Sequence, residues 1–405
     1  MKILLVNDYG TPTAGAERIT RNLRDGLRDR GHIVRIFASR AQLIPGETIA
    51  DATCFGTNAR LQTLSSAVNL SAARALQREL RSFTPDVVQV QMFLWQLSPA
   101  ILPVLRHLPS VYYAMTFKAV CPTGLKWLPS GAPCRDVAGS ACLRNGCLTP
   151  AGFGPRMLQR FLWRKWRRDF TAVVACSHAV RSFLEDDNIA VRDVIWPGTP
   201  TTVAREKLSE PPIVTFSGRL VREKGVDTLV HAFAHVRDHL PQAQLHIAGA
   251  GPERAAICAL SAELGQAGSV HLHGQLEDVA LDALLRRSWV HAVPSRWPEP
   301  FGMTVTEAMM RGTAVVASGI GGLVEIVEPG VTGLHAPPGD VPALAQALTQ
   351  LLSNPSLAEA MGAKARERAL EHFDLSHFAV RFEALYESLL EPSTHESRAQ
   401  PGFDE

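Results

Sequence analysis

The sequence predicts an α/β protein built from two doubly wound parallel sheets. Short apolar runs of strand length alternate with helix-period segments in both halves. A stretch rich in Pro, Thr and charge, residues 198–212, separates those halves as a linker. Length agrees, since 405 residues exceed what one hydrophobic core organises. The predicted units are residues 1–197, the linker 198–212, residues 213–374, a last helix within 375–391, and a polar tail, 392–405, expected to be disordered.

Lys2–Val6 is a first buried strand. A polar loop, Asn7–Gly15, follows, and Ile19, Leu23 and Leu27 then recur at helical spacing up to Gly31. Ile33–Ala38 is the next strand. The Asn7–Gly15 loop therefore lies at the carboxyl end of a parallel strand, where open α/β sheets bind ligands. It lacks G-x-G-x-x-G, which disfavours a nicotinamide site. Leu61–Phe83 reads as one helix, Asp86–Gln91 as a strand, Gln96–His107 as a helix and Val111–Met115 as a strand. Residues 116–152 carry Pro, Gly and Cys with neither period, an excursion of the functional or metal-stapled kind. The helix Pro155–Phe170, the strand Ala172–Ala175, a helix capped by Ser177 and the strand Val191–Trp196 complete this half.

The second half repeats the alternation. Ile213–Ser217, Gln244–Ala248, Val270–Leu272, Trp289–Val293, Ala314–Ala317 and Gly333–His335 read as strands. Gly225–Leu240, Glu253–Leu264, a helix from about Phe301, Ser356–His372 and Leu375–Leu390 read as helices.

Hydrophobic content of 46% with 20% charge is globular. The net charge of +2 gives no reason to expect a nucleic-acid partner. The apolar run at the N-terminus is too short for a signal peptide, and no stretch approaches a spanning helix. The expected location is cytoplasmic.

The stretch Ser295–Met310 concentrates the chemistry. Glu299 sits in a loop between Pro298 and Pro300, and Glu307 lies in the following helix, roughly 10 Å along it at 1.5 Å per residue. The start of that helix offers free N–H groups and positive dipole to a phosphate. An anion cradled there and flanked by two acids suggests a sugar on a diphosphate; two solvated glutamates at a helix start are the plain alternative. The loop Ser217–Gly225 adds Arg219 and Lys224 at another strand end, a planar fork and a flexible point charge that suit a diphosphate. Gly218, Gly249, Gly302 and the run Gly319–Gly322 all follow strands, and several such loops along one edge point to a nucleotide crevice.

Ser217-Gly-Arg-x4-Lys-Gly-x-Asp227, Ala248-Gly-x-Gly-Pro252, Pro294-Ser-x3-Glu-Pro-Phe-Gly302 through Glu307-Ala-Met309, and Gly321-Gly-x2-Glu325 together resemble glycosyltransferase family 4. The likeness covers nearly all of the second half, and the first half joins it through Gly15-Ala-Glu-Arg18. The resemblance implies the GT-B architecture, two Rossmann-like domains facing a cleft, with the last helix crossing back onto the first domain. It implies retaining transfer from a nucleotide-sugar donor without a catalytic metal. Arg219, Lys224 and Glu299 would then be catalytic, the two cations holding the donor diphosphate and Glu299 the sugar hydroxyls. Glu307 would take the ribose, Gly15 would approach the donor from the first domain, and Gly218, Gly249 and the amides of Phe301 and Gly302 would complete the cradle. The acceptor would be a glycan, a lipid-linked or a small molecule. Neutralising Arg219 or Lys224 is expected to stop turnover and leave the fold intact. One departure stands out: where relatives carry a His-Asp pair ahead of Cys121-Pro122, this chain has Met115 and Thr116, and methionine offers a sugar hydroxyl no comparable polar contact. That leaves a second reading, a non-catalytic nucleotide-sugar-binding scaffold.

Cys121, Cys134, Cys142 and Cys147 crowd into the excursion. A structural zinc held by four thiolates is the expectation, with an iron–sulfur cluster, disulfides or free thiols as alternatives. Residues 156–168 mix Arg and Lys with Phe161, Trp163 and Trp166, the composition of a helix on anionic lipid and an expected peripheral membrane contact. The alternative is a surface helix packed on its own domain through Leu158, Leu162 and Trp166.

Overall fold

The computed structural model describes residues 1–11, 15–42, 46–59, 61–205 and 207–391. The predicted tail, 392–405, lies outside them. Thirteen strands form two all-parallel sheets among the described residues. The first contains β1 (Lys2–Tyr9), β2 (Ile33–Ser39), β3 (Ala52–Cys54), β4 (Val87–Val90), β5 (Ser110–Ala114), β6 (Ala172–Ala175) and β7 (Asp193–Val194), in the order β3-β2-β1-β4-β5-β6-β7. The second contains β8 (Ile213–Ser217), β9 (Gln244–Ala248), β10 (Val270–Gly274), β11 (Val290–Val293), β12 (Ala314–Ser318) and β13 (Gly333–Ala336), in the order β10-β9-β8-β11-β12-β13. Each order reverses beside its first strand, as in doubly wound folds. This is the GT-B architecture of two Rossmann-like domains.

The central strands are mostly apolar because helices cover both faces. Ile3–Val6, Val214 and Val290 are accordingly buried. The helix Leu375–Leu390 lies on the first domain: Tyr113 and Phe382 pack edge-to-face at 5.0 Å, and the Tyr386 hydroxyl meets Gln89 Oε1 at 2.5 Å. The first core also continues into the second domain through Trp297, Phe301 and Met309.

Several elements depart from the sequence reading. Leu61–Phe83 is two helices, Gln62–Ala67 and Leu70–Phe83, because the Asn69 side chain accepts from Ala72 N and starts the second afresh. Pro99 and Pro103 tighten Pro99–Leu105 into a 3₁₀ helix. The short edge strand β3 has no sequence counterpart, since three residues carry no period. The long helix of the basic segment begins early, at Pro150, with Thr149 as its cap, and runs to Trp166.

Candidate functional site

Glu299 occupies the loop after β11, beside the loop after β8, because those two strands are neighbours. Its carboxylate is buried and accepts from Lys224 Nζ at 2.6 Å and from Ser295 Oγ at 2.5 Å. Burial pushes the Glu299 carboxyl up, but the Lys224 ammonium and the Ser295 hydroxyl outweigh it and hold the group below its usual range. Arg296 ties the same two loops together, with its amide on the Glu223 carbonyl at 2.9 Å and its guanidinium on Asp227 at 2.7 Å. Gly225 adopts φ +65°, and a side chain there would strike the Pro294 carbonyl. At Gly321, φ +61°, a Cβ would come within 2.6 Å of the Glu299 amide. These glycines therefore let the site loops stack on one another.

The helix Met303–Met310 follows, and its N-cap, Gly302, supplies no capping side chain. That start is left open to an anion. Phe301 is buried. The Pro300 carbonyl before it accepts from Ser177 Oγ of the first domain at 2.5 Å. Glu307 is half-buried on the flank of this helix; burial raises its carboxyl, against the pull of Arg18 and Arg311. Arg18 reaches over from the first domain to lie 3.7 Å from Glu307 and 3.0 Å from Asp278. Gly15 begins the helix that carries Arg18 and is exposed, with open space where a side chain would stand.

Arg219 projects into solvent from the loop after β8, while Gly218 and Gly249 abut backbone to backbone between β8 and β9. The structure thus brings Lys224, Glu299, Gly302 and Glu307 to one edge of the second sheet, with Arg219 on the adjoining loop.

On the opposite wall Met115 is buried, and the Thr116 hydroxyl caps a 3₁₀ turn at Lys118 rather than supplying a free polar arm. Sequence reasoning passed over three residues here. Asp8 is fully buried and accepts the amides of Trp95, Gln96 and Leu97 at 2.7–2.9 Å. Burial lifts its carboxyl to about 6, against those amides and Lys118. Lys118 is itself buried, its ammonium 3.8 Å above the Trp95 ring, and burial holds its pKa well below the usual lysine range. The available signal was an acid ending the apolar run of β1.

All four cysteines are free thiols, and among the described residues no group of three His, Cys, Asp or Glu side chains is placed to hold a metal ion. Cys121 Sγ lies 3.2 Å from the Thr123 hydroxyl, and Cys147 Sγ turns to the Asn145 carbonyl at 3.9 Å. Hydrogen bonds brace the excursion: Cys134 N to the Lys126 carbonyl at 2.7 Å, Lys126 Nζ to the Asp136 carbonyl at 2.9 Å, and Asn145 Nδ2 to Asp136 Oδ2 at 2.7 Å.

The basic helix packs most deeply through Gln159, Arg160 and Trp163; of the expected packing residues Trp166 is partly buried against the same core, Leu162 is partly buried and Leu158 is exposed. Arg160 and Arg164 converge on Asp187 at 2.6 and 2.9 Å, which draws Arg160 into the buried face. Leu158, Phe161, Lys165 and Arg168 form the exposed row, with Phe161 63% exposed. Among the described residues no helix is long and apolar enough to cross a membrane.

Two family profiles divide the chain near its linker. Glycosyltransferase Family 4 matches residues 13–203, and Glycosyl transferases group 1 matches residues 201–368. A glycogen synthase from Mycobacterium tuberculosis is 34% identical over 191 residues, which is 47% of this chain and 45% of that protein. A D-inositol 3-phosphate glycosyltransferase from Corynebacterium aurimucosum is 32% identical over 233 residues, 53% of this chain and 55% of that one. The chain thus spans about half the length of the curated relatives it matches. Among solved structures, sucrose-phosphate synthase from Thermosynechococcus elongatus superposes with a TM-score of 0.73 at 23% identity, over 96% of this chain and 99% of that one. Anabaena HepE, solved with UDP and glucose, gives 0.70 at 19% identity, over 96% and 100%.

Proposed function

We propose that the chain is a glycosyltransferase that moves a sugar from a nucleotide-sugar donor to a glycan, lipid-linked or small-molecule acceptor. The observation that carries this is the pairing of Lys224 with buried Glu299 beside the uncapped helix start at Gly302. The two profile matches and the glycosyltransferase relatives support the reaction class.

In this reading the donor diphosphate lies over the start of Met303–Met310, with Arg219 and Lys224 meeting the charge that develops as it leaves. Glu299 holds the sugar hydroxyls and Glu307 the ribose. The acceptor oxygen bonds to the anomeric carbon on the face from which the diphosphate departs, and its proton passes to the leaving phosphate oxygen. Configuration is retained. The protein supplies charge and orientation, and Arg219 and Lys224 take the neutralising role that a metal ion plays elsewhere.

The test is a thermal-shift screen of nucleotide sugars on the intact chain, followed by mass spectrometry of products with an acceptor panel. Arg219→Ala should lower turnover by about 10²–10³-fold, the range for loss of one transition-state donor, without changing the melting temperature. Full activity in that variant would sink the assignment. The buried Met115 favours one rival, a scaffold that binds nucleotide sugars without turning them over. Binding with no product across the whole panel would select it.

We also infer that the first domain rests on an anionic membrane through the row Leu158, Phe161, Lys165 and Arg168, beside the exposed Leu61 and Leu64 of the neighbouring helix. Flotation with phosphatidylglycerol vesicles should be lost in Leu158→Asp with Phe161→Asp. Flotation unchanged by that pair would refute the contact.

A further inference from the structure

At the outer end of the first sheet's carboxyl edge lies a cavity of about 310 Å³, away from the residues assigned to the donor. Arg40, which follows β2, Phe55, which follows β3, and Arg74 and Arg78 of the helix Leu70–Phe83 line it, with the Thr53 and Ser71 hydroxyls between them. Three arginines thus line one space, and among the described residues no carboxylate lines it.

That arrangement is unfavourable without a ligand. Arg74 and Arg78 stand four residues apart on one helix, where like charges repel. The helix's own acid, Glu79, is engaged by Arg35 at 3.1 Å. Among the described residues neither Arg74 nor Arg78 has an acidic partner. Arg40 is oriented by its Nε, which donates to Thr53 Oγ1 at 3.2 Å. Ser71 sits in the first turn of the same helix, where the backbone dipole favours negative charge. Phe55 is 55% exposed, an apolar ring at the rim beside the charges. Planar guanidinium forks match the oxygens of a phosphate, and an exposed ring offers a platform to the apolar face of a sugar. The volume lies at the lower end of the range for small-molecule sites.

We propose that this cavity binds a phosphate-bearing saccharide, with Arg40, Arg74 and Arg78 on the phosphate and Phe55 under the sugar ring. The proposal does not depend on the donor site, and binding alone tests it. Isothermal titration of the full chain at low ionic strength would use glucose 1-phosphate, with glucose as the uncharged control. Glucose 1-phosphate should bind and glucose should not. Arg74→Gln with Arg78→Gln should weaken that binding by about tenfold or more, as expected for loss of charged hydrogen bonds. Both side chains are exposed, so the melting temperature should hold, and Arg78→Lys should retain part of the affinity. Arg219→Ala should leave this binding unchanged. Binding lost in Arg219→Ala but kept in the Arg74/Arg78 variant would overturn the proposal. So would capture on phosphatidate vesicles with no binding of the soluble sugar phosphate.

Discussion

Lys224 Nζ lies 2.6 Å from Glu299 Oε1, so the cation assigned to the donor diphosphate already neutralises the acid assigned to the sugar. The sequence reading expected Lys224 and Arg219 to be equally dispensable to the fold. Their surroundings separate them. Lys224 is only 20% exposed at its side chain and serves a buried carboxylate, whereas Arg219 projects into solvent. Lys224→Ala should therefore destabilise the fold by about 3 kcal/mol, the lower end for stranding a buried charge, besides abolishing turnover. In Lys224→Ala with Glu299→Gln most of that loss should return while activity stays absent. Urea unfolding of the three proteins decides it, and a neutral Lys224→Ala would contradict the pair.

A contact between the domains acts at the back of the cleft. The Glu325 carboxylate accepts the amides of His178 and Ala179 at 2.9 and 2.8 Å and the Trp196 indole N–H at 3.0 Å. An acid of the second domain thus caps a helix of the first. Glu325→Ala should lower stability by about 1–2 kcal/mol, the size of a lost N-cap, and shift Trp196 fluorescence to the red. An unshifted spectrum with unchanged urea midpoint would show that the contact holds nothing.

At the front, Arg18 bridges to Glu307 and Asp278, both at least partly exposed, so the contact is worth under about 1 kcal/mol. Arg18→Ala should leave the melting temperature within error yet raise the KM for the donor, because Glu307 and the domain closure both lose a partner. A KM equal to wild type would detach Arg18 from the site.

The parallel sheets were legible because their strands are short, largely apolar segments ending at glycine-bearing loops, as in Ile213–Ser217 and Gln244–Ala248. The gathering of Lys224, Glu299 and Glu307 at one sheet edge, with Arg219 on the adjoining loop, was legible because all four follow such strand ends. What escaped depended on partners distant in sequence. Asp187 draws Arg160 inward and so places a cation on the buried face of its helix. Asn69 breaks a helix whose apolar spacing reads straight through. Asp8 and Lys118 become neighbours only once β1 and the excursion meet.

Asp8 supplies a prediction whose sign is unusual for a carboxylate. Its carboxyl is raised from an ordinary 3.8 to about 6 by burial. Between those values the folded chain keeps a proton that the unfolded chain has released, so stability falls as pH rises through this window and is level above it. The loss is up to about 3 kcal/mol at 1.36 kcal/mol per unit. Asp8→Asn removes the titration and weakens the acceptance of the Trp95, Gln96 and Leu97 amides, so the variant should be less stable than wild type at low pH. Its deficit should then shrink by about 2 kcal/mol between pH 4 and pH 7, since wild type alone bears the cost of ionising a buried acid. Denaturant unfolding of both proteins across that range measures the difference directly, and groups common to both cancel. A deficit that stays constant or grows with pH would mean that the three amides, with Lys118, stabilise the carboxylate more than burial penalises it.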